Sequence, residues 1–171
     1  MAAPGPTLAG FQAFLVAAGI NTTILPADSP VIPFALAVAL NVVNPQLQGL
    51  GTYCGPPLAG VPAVSMYTLA VYNCATDNVF NYADDQPGAD PVPGSNPPTP
   101  FFAWSRSQWN IFGFVSGVIQ SAGDESTNQS MVVQEAAKYF TLANLQSLKT
   151  PYGRRFLAIS QSYGPNAWGI S

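Results

Sequence analysis

Histidine does not occur anywhere in the 171 residues of the chain. Its absence removes Ser-His-Asp and Cys-His catalysis, imidazole metal ligation and histidine-based pH switching. Charge is nearly as scarce. Five Lys/Arg and eight Asp/Glu amount to 8% of the residues, against about 25% in ordinary soluble domains. No cation precedes Arg106, and no charged side chain lies between Ser29 and Thr76. The two cysteines, Cys54 and Cys74, have no second pair nearby, so they fit neither a zinc knuckle nor a redox C-x-x-C and are expected to be reduced structural thiols. Long apolar runs are missing as well. Phe11–Ile20 and Val31–Val43 are the richest, and both fall short of the ~20 residues a spanning helix needs. No basic segment opens the sequence, so neither a membrane span nor an export signal is expected.

What replaces the charge is Gly (15), Pro (17) and uncharged polar residues, alongside 48% hydrophobic residues. That content excludes intrinsic disorder, which needs low hydrophobicity with high net charge. The length suits one domain over 1–171 with a core of its own. A net charge of −3 argues against a phosphate-neutralising nucleic-acid binder. The charges are also segregated. Asp28, Asp77, Asp84, Asp85 and Asp90 lie in residues 1–105 without a cation, whereas Arg106, Lys138, Lys149, Arg154 and Arg155 accompany Asp124, Glu125 and Glu135 in the remainder. A neutral surface as long as 29–76 is best explained by cover from other subunits, so obligate assembly is expected.

The pattern predicts a mainly α fold: a small helical bundle with a protruding β-hairpin and long Pro/Gly-rich loops. Thr7 caps a helix over Leu8–Ala18 that Gly19 stops. Ser29 caps a second, with Pro30 at its first position and residues through Val43 apolar nearly all round, which requires cover on more than one side. Residues 46–62 read as loop, and 63–82 as a helix with Val64, Tyr67, Val71 and Cys74 on one face. Residues 84–100 hold a cluster of prolines and read as a surface loop, partly polyproline II, with Asp84 and Asp85 as solvated acids. A short helix is expected around Phe102–Phe112. A hairpin follows over 115–133, its arms 115–121 and 127–133 flanking a turn at Ala122–Ser126. Thr141 caps a helix to about Lys149. Thr150-Pro151 starts a last helix to about Ser162, with Tyr152, Phe156, Ile159 and Tyr163 on its apolar stripe. Gly164-Pro165 ends it and leaves a tail, 164–171.

No catalytic set can be assembled. The acids pair as Asp84/Asp85 and Asp124/Glu125 in expected turns, not across a cleft as a glycosidase requires. No S-x-x-K accompanies Lys138 or Lys149, and no phosphate-cradling G-x-x-x-x-G-K-[ST] occurs. Six aromatics, Phe101, Phe102, Trp104, Trp109, Phe112 and Phe114, could stack bases. Only Arg106 supplies charge among them, which favours core or interface packing. The chain is therefore expected not to be an enzyme and to need no metal and no cofactor.

Three segments carry a resemblance: Gly117-Val118-Ile119-Gln120-Ser121-Ala122-Gly123-Asp124, Thr141-Leu142-Ala143-Asn144-Leu145 and Thr150-Pro151-Tyr152-Gly153-Arg154-Arg155-Phe156-Leu157. In order and content these resemble the head–tail adaptor (connector) proteins of tailed double-stranded-DNA bacteriophages, whose fold ends on a T-P-Y-G-R-x-[YF]-L helix. The similarity covers the C-terminal third; the N-terminal half and the Pro-rich loop have no counterpart in it. It implies a virion structural protein of the neck, assembled in the host cytoplasm. Such a protein forms a ring, usually of twelve copies, between the portal protein and the tail or nozzle proteins, with genomic DNA passing through unbound. It further implies portal docking by the tail through Trp168 and Ile170, with fold-back of the tail onto its own body as the alternative. Ala122, Gly123, Asp124 and Glu125 would contact a neighbouring subunit or the tail. Arg154 and Arg155 are either a solvated helix face or partners for acids on a neighbour. A stand-alone protein- or glycan-binding module remains a second reading of the same residues, and a carboxylate hydrolase using Asp124 and Glu125 a third.

Overall fold

The computed structural model describes residues 5–49, 65–113, 121–124, 127–130 and 146–162. The chain is mainly helical. In order come α1 (Leu8–Ala17), α2 (Val31–Val42), a 3-10 turn (Pro45–Gly49), α3 (Met66–Tyr82), α4 (Phe101–Gln108), strands β1 (Ser121–Asp124) and β2 (Thr127–Ser130), and α5 (Pro151–Ser162).

Helix α1 starts where its cap dictates: the Thr7 hydroxyl accepts the Gly10 N–H at 3.1 Å. It stops at Gly19, whose φ of +89° only glycine adopts without strain. Helix α2 begins differently from expectation. Pro30 is its N-cap residue, no side chain caps it, and Ser29 contributes only its carbonyl, which accepts from Ile32 N–H. Its two apolar stripes are also unequal. Ile32, Ala35, Leu36 and Ala39 are buried and continue through Val43, whereas Phe34, Leu40 and Val42 stay exposed. Cover is therefore complete on one side only.

The central element is α3, which packs against α1, α2, the 3-10 turn, α4 and α5. Ser65 caps it, accepting from Thr68 N–H at 3.0 Å. Nearly every position from Met66 to Phe80 is buried, including Asn73, Thr76 and Asp77. Such a polar helix can sit in the middle because several of its polar groups bond to the backbone one turn back. Asn73 donates to the Leu69 carbonyl, Thr76 to Tyr72 and Asn81 to Asp77, each at 2.8 Å. Around it lies a continuous core running from Phe11 and Leu15 through Ile32 and Leu36 to Val79, Phe80 and Phe102. Phe80 is the aromatic centre, in edge contact with Trp109 (4.7 Å) and Phe102 (5.7 Å) and stacked on Tyr152 (5.6 Å, 12°).

Residues 84–100 contain neither helix nor strand, yet their three acids, Asp84, Asp85 and Asp90, are not all idle. Asp85, expected to be a solvated loop acid, caps α4 from seventeen positions upstream. Its two carboxylate oxygens accept the N–H groups of Phe102 and Ala103, each at 2.8 Å. The helix needs this because the residue before it, Pro100, provides no side-chain cap. Strands β1 and β2 pair antiparallel, with Ser121 opposite Ser130 and Asp124 opposite Thr127. The ladder thus runs through Ala122, Gly123 and Asp124, which were expected in the turn. The outer arms of the expected hairpin, at 115–120 and 131–133, lie outside the described residues, as does the helix expected from Thr141 for most of its length.

Candidate functional site

Two residues of the T-P-Y-G-R segment, Thr150 and Gly153, are built into the interior. Thr150 is 1% exposed. Its hydroxyl donates to the Asp77 carboxylate of α3 and accepts the Gly153 N–H at 2.9 Å, capping α5. Pro151 takes the first helical position, where its missing N–H costs nothing. Tyr152 stacks on Phe80 and points its hydroxyl at the Ala18 carbonyl (3.4 Å). Gly153 is required by close approach: a Cβ there would stand 2.0 Å from the Ser147 carbonyl oxygen. The buried stripe of α5 is accordingly Gly153, Leu157 and Ser160. Tyr152, Phe156 and Ile159, expected to form the apolar stripe, flank it half-buried.

Asp77 is the charged centre of this clasp. Burial pushes its carboxyl up to about 6, partly offset by hydrogen bonds from Thr150 and Ser147. Burial, with the nearby Asp77 charge, drives the Cys74 thiol up to about 12. Cys74 is a buried free thiol and chemically inert; Cys54 lies outside the described residues. One turn before Asp77, Asn73 leaves its Oδ1 without a hydrogen-bond partner among the described residues. No group of three potential metal ligands occurs among them, and no helix there is long and apolar enough to cross a membrane.

The cations divide by job. Arg106 reaches back across the loop to the carbonyls that end α3, Phe80 (2.7 Å) and Ala83, while its guanidinium lies near the rings of Phe102 and Phe112. Lys149 donates to the carbonyls of Ile111 (2.7 Å) and Gly113. Arg154 and Arg155, by contrast, are exposed on α5. The exposed acids among the described residues are Asp28, Asp84 and Asp90.

The exposed apolar side chains make the other surface feature. Phe34 (52% exposed) and Tyr82 (56% exposed) meet edge to face at 5.7 Å, joining α2 to the end of α3. Leu40 and Val42 continue the outward side of α2, and Leu8 and Val16 stand out from α1. Phe34, Leu40 and Val42 belong to the uncharged stretch.

Of the residues singled out from sequence, Thr150, Pro151, Tyr152 and Gly153 come together as one structural clasp, and Arg154 and Arg155 are left on its outer side. Ala122, Gly123 and Asp124 form β1. Glu125, Trp168 and Ile170 lie outside the described residues. Sequence reasoning missed Asp85, Arg106 and Lys149 as helix- and loop-tying groups. It also missed Asp77 as the buried partner of Thr150. In each case the partner is at least seventeen residues away, beyond any local pattern. No family model, curated protein or solved structure matches the chain.

Proposed function

We propose that the protein is a structural, non-enzymatic component of a phage neck: an adaptor subunit that forms a ring between portal and tail and lines part of the DNA channel. The observation that carries this reading is the outward ridge of Phe34, Leu40, Val42 and Tyr82. Phe34, Leu40 and Val42 of this ridge lie in a stretch with no charged side chain from Ser29 to Thr76, as a surface destined for cover by other subunits would. The T-P-Y-G-R clasp supports it in a second way. A motif whose Thr, Tyr and Gly fix one helix on another has the chemistry of a fold signature rather than of a catalytic site.

In this reading the β1–β2 pair is the core of a hairpin that protrudes over 115–133 and meets a neighbouring subunit or the tail through Ala122–Glu125. Trp168 and Ile170 dock onto the portal. The single domain spans 1–171, and DNA passes without specific binding. The test is electron microscopy of the purified protein alone and with its cognate portal. Rings on the portal are expected, and truncation after Tyr163 is expected to abolish portal binding with little change in melting temperature. Particles of one subunit only, in both samples, would leave the protein a stand-alone binding module.

A further inference from the structure

We propose that copies of this chain associate head to tail, with Arg154 and Arg155 on α5 of one copy seated on the Phe34–Tyr82 aromatic pair and Asp84 of the next. The inference deepens the ring reading and rests on it.

The argument begins with which charges are still free. Of the described cations, Arg106 and Lys149 are held by backbone carbonyls of their own chain. Arg154 and Arg155 are exposed. Of the acids in the N-terminal part, Asp77 is buried against Thr150 and Asp85 caps α4. Asp28, Asp84 and Asp90 are exposed. No ion pair forms among the described residues. Among the described residues, the exposed cations and the exposed acids therefore sit on different elements, with no ion pair between them.

The acidic side carries more than charge. Tyr82 ends α3 and Asp84 follows two residues later, so an exposed acid lies one residue beyond Ala83 along the chain from an exposed edge-to-face aromatic pair. An exposed ring beside a carboxylate suits guanidinium: the flat cation stacks on the ring while its N–H fork meets the acid. The first position of this kind is on α2 and the end of α3, the arginines on α5. Both α2 and α5 pack on α3, but they do so with little contact between each other. An interface joining two different patches is heterologous, and repetition with a closing rotation produces a ring rather than a two-fold dimer. Lysine would serve less well, having no planar fork.

Complementation by charge reversal tests this on the intact chain, read by native mass spectrometry and sedimentation velocity. The variants are R154E/R155E and D84R. All three positions are exposed, and circular dichroism and melting curves verify that each variant folds. Each variant alone is expected to lose the wild-type oligomer, with association weakened roughly tenfold or more. An equimolar mixture of the two is expected to regain oligomers in which the variants alternate, because one junction keeps the unaltered faces and the next pairs the two charge-reversed faces. A chain carrying D84R, R154D and R155D together is expected to regain the oligomer. If the wild type assembles and R154E/R155E assembles equally well, the contact is wrong while the ring stands. A wild type that stays monomeric alone and with portal overturns the ring and this contact with it.

Discussion

At the scale of single residues, Asp77 sets a pH dependence whose sign is fixed by burial. Its carboxyl is raised from the usual range to about 6, so the folded chain holds that proton more tightly than the unfolded chain. Its stabilising contribution is complete below about pH 4 and is lost as pH rises through about 6, a shift of about two pH units or roughly 3 kcal/mol. Asp77→Asn keeps an acceptor for Thr150 and removes the buried charge. The difference in melting temperature between variant and wild type is expected to be small at pH 4 and to grow in the variant's favour by pH 7.5. The opposite trend would mean that the ionised carboxylate is the preferred native form. Thr150→Val removes both the donor to Asp77 and the acceptor for Gly153 N–H. It is expected to cost about 1–3 kcal/mol in urea unfolding, with Thr150→Ser restoring most of the loss. Gly153→Ala, forced against the Ser147 carbonyl, is expected to cost about as much through overpacking.

Among elements, the starts of α1 and α5 were legible because their caps, Thr7 and Thr150-Pro151, are adjacent in sequence to what they cap. The start of α4 was not, since its cap is Asp85 across the whole Pro-rich loop. Asp85→Ala is therefore expected to lower stability by about 1 kcal/mol. It should also accelerate hydrogen exchange at the Phe102 and Ala103 amides ahead of the rest of the fold; unchanged exchange there would deny Asp85 its capping role. The central place of α3 was hidden for another reason. Hydrophobic periodicity ranks α2 as the most buried helix, but Asn73, Thr76 and Asn81 satisfy themselves on carbonyls one turn back. A polar helix so equipped can be enclosed, while apolar α2 turns one stripe outward. Composition shows how greasy a helix is and is silent on how many sides are covered.

For the whole molecule, the proposed assembly implies that the two faces of α2 separate stability from association. Phe34→Asp and Val42→Asp change exposed positions and are expected to leave the melting temperature within a few degrees of wild type while abolishing oligomers in sedimentation. Ala35→Asp, at a fully buried position, places an unpaired charge in the core and is expected to unfold the subunit outright. Oligomers that survive Phe34→Asp and Val42→Asp together would remove the ridge from any interface. The candidate surface was partly legible at this scale: the lack of charge marked α2 as apolar nearly all round, but which of its two stripes would stay exposed depended on where α3 lay. The free arginines emerged only once Arg106 and Lys149 were seen to be occupied by their own backbone.

The segment between α3 and α4 enters and leaves at one place. Asp85 grips the first turn of α4, and Arg106 grips the last carbonyls of α3. Inside that neck, Val92 N–H bonds the Thr99 carbonyl at 2.9 Å, and Gly88 turns at a φ of +75° with open space around it. A loop closed at its base is insulated from the helices that carry it, and its length becomes a free variable. Doubling such a loop costs only about 0.6 kcal/mol in closure entropy. A flexible epitope inserted after Gly88 is thus expected to be displayed outward with the helical content and unfolding midpoint nearly unchanged, which makes this loop a socket for added sequence.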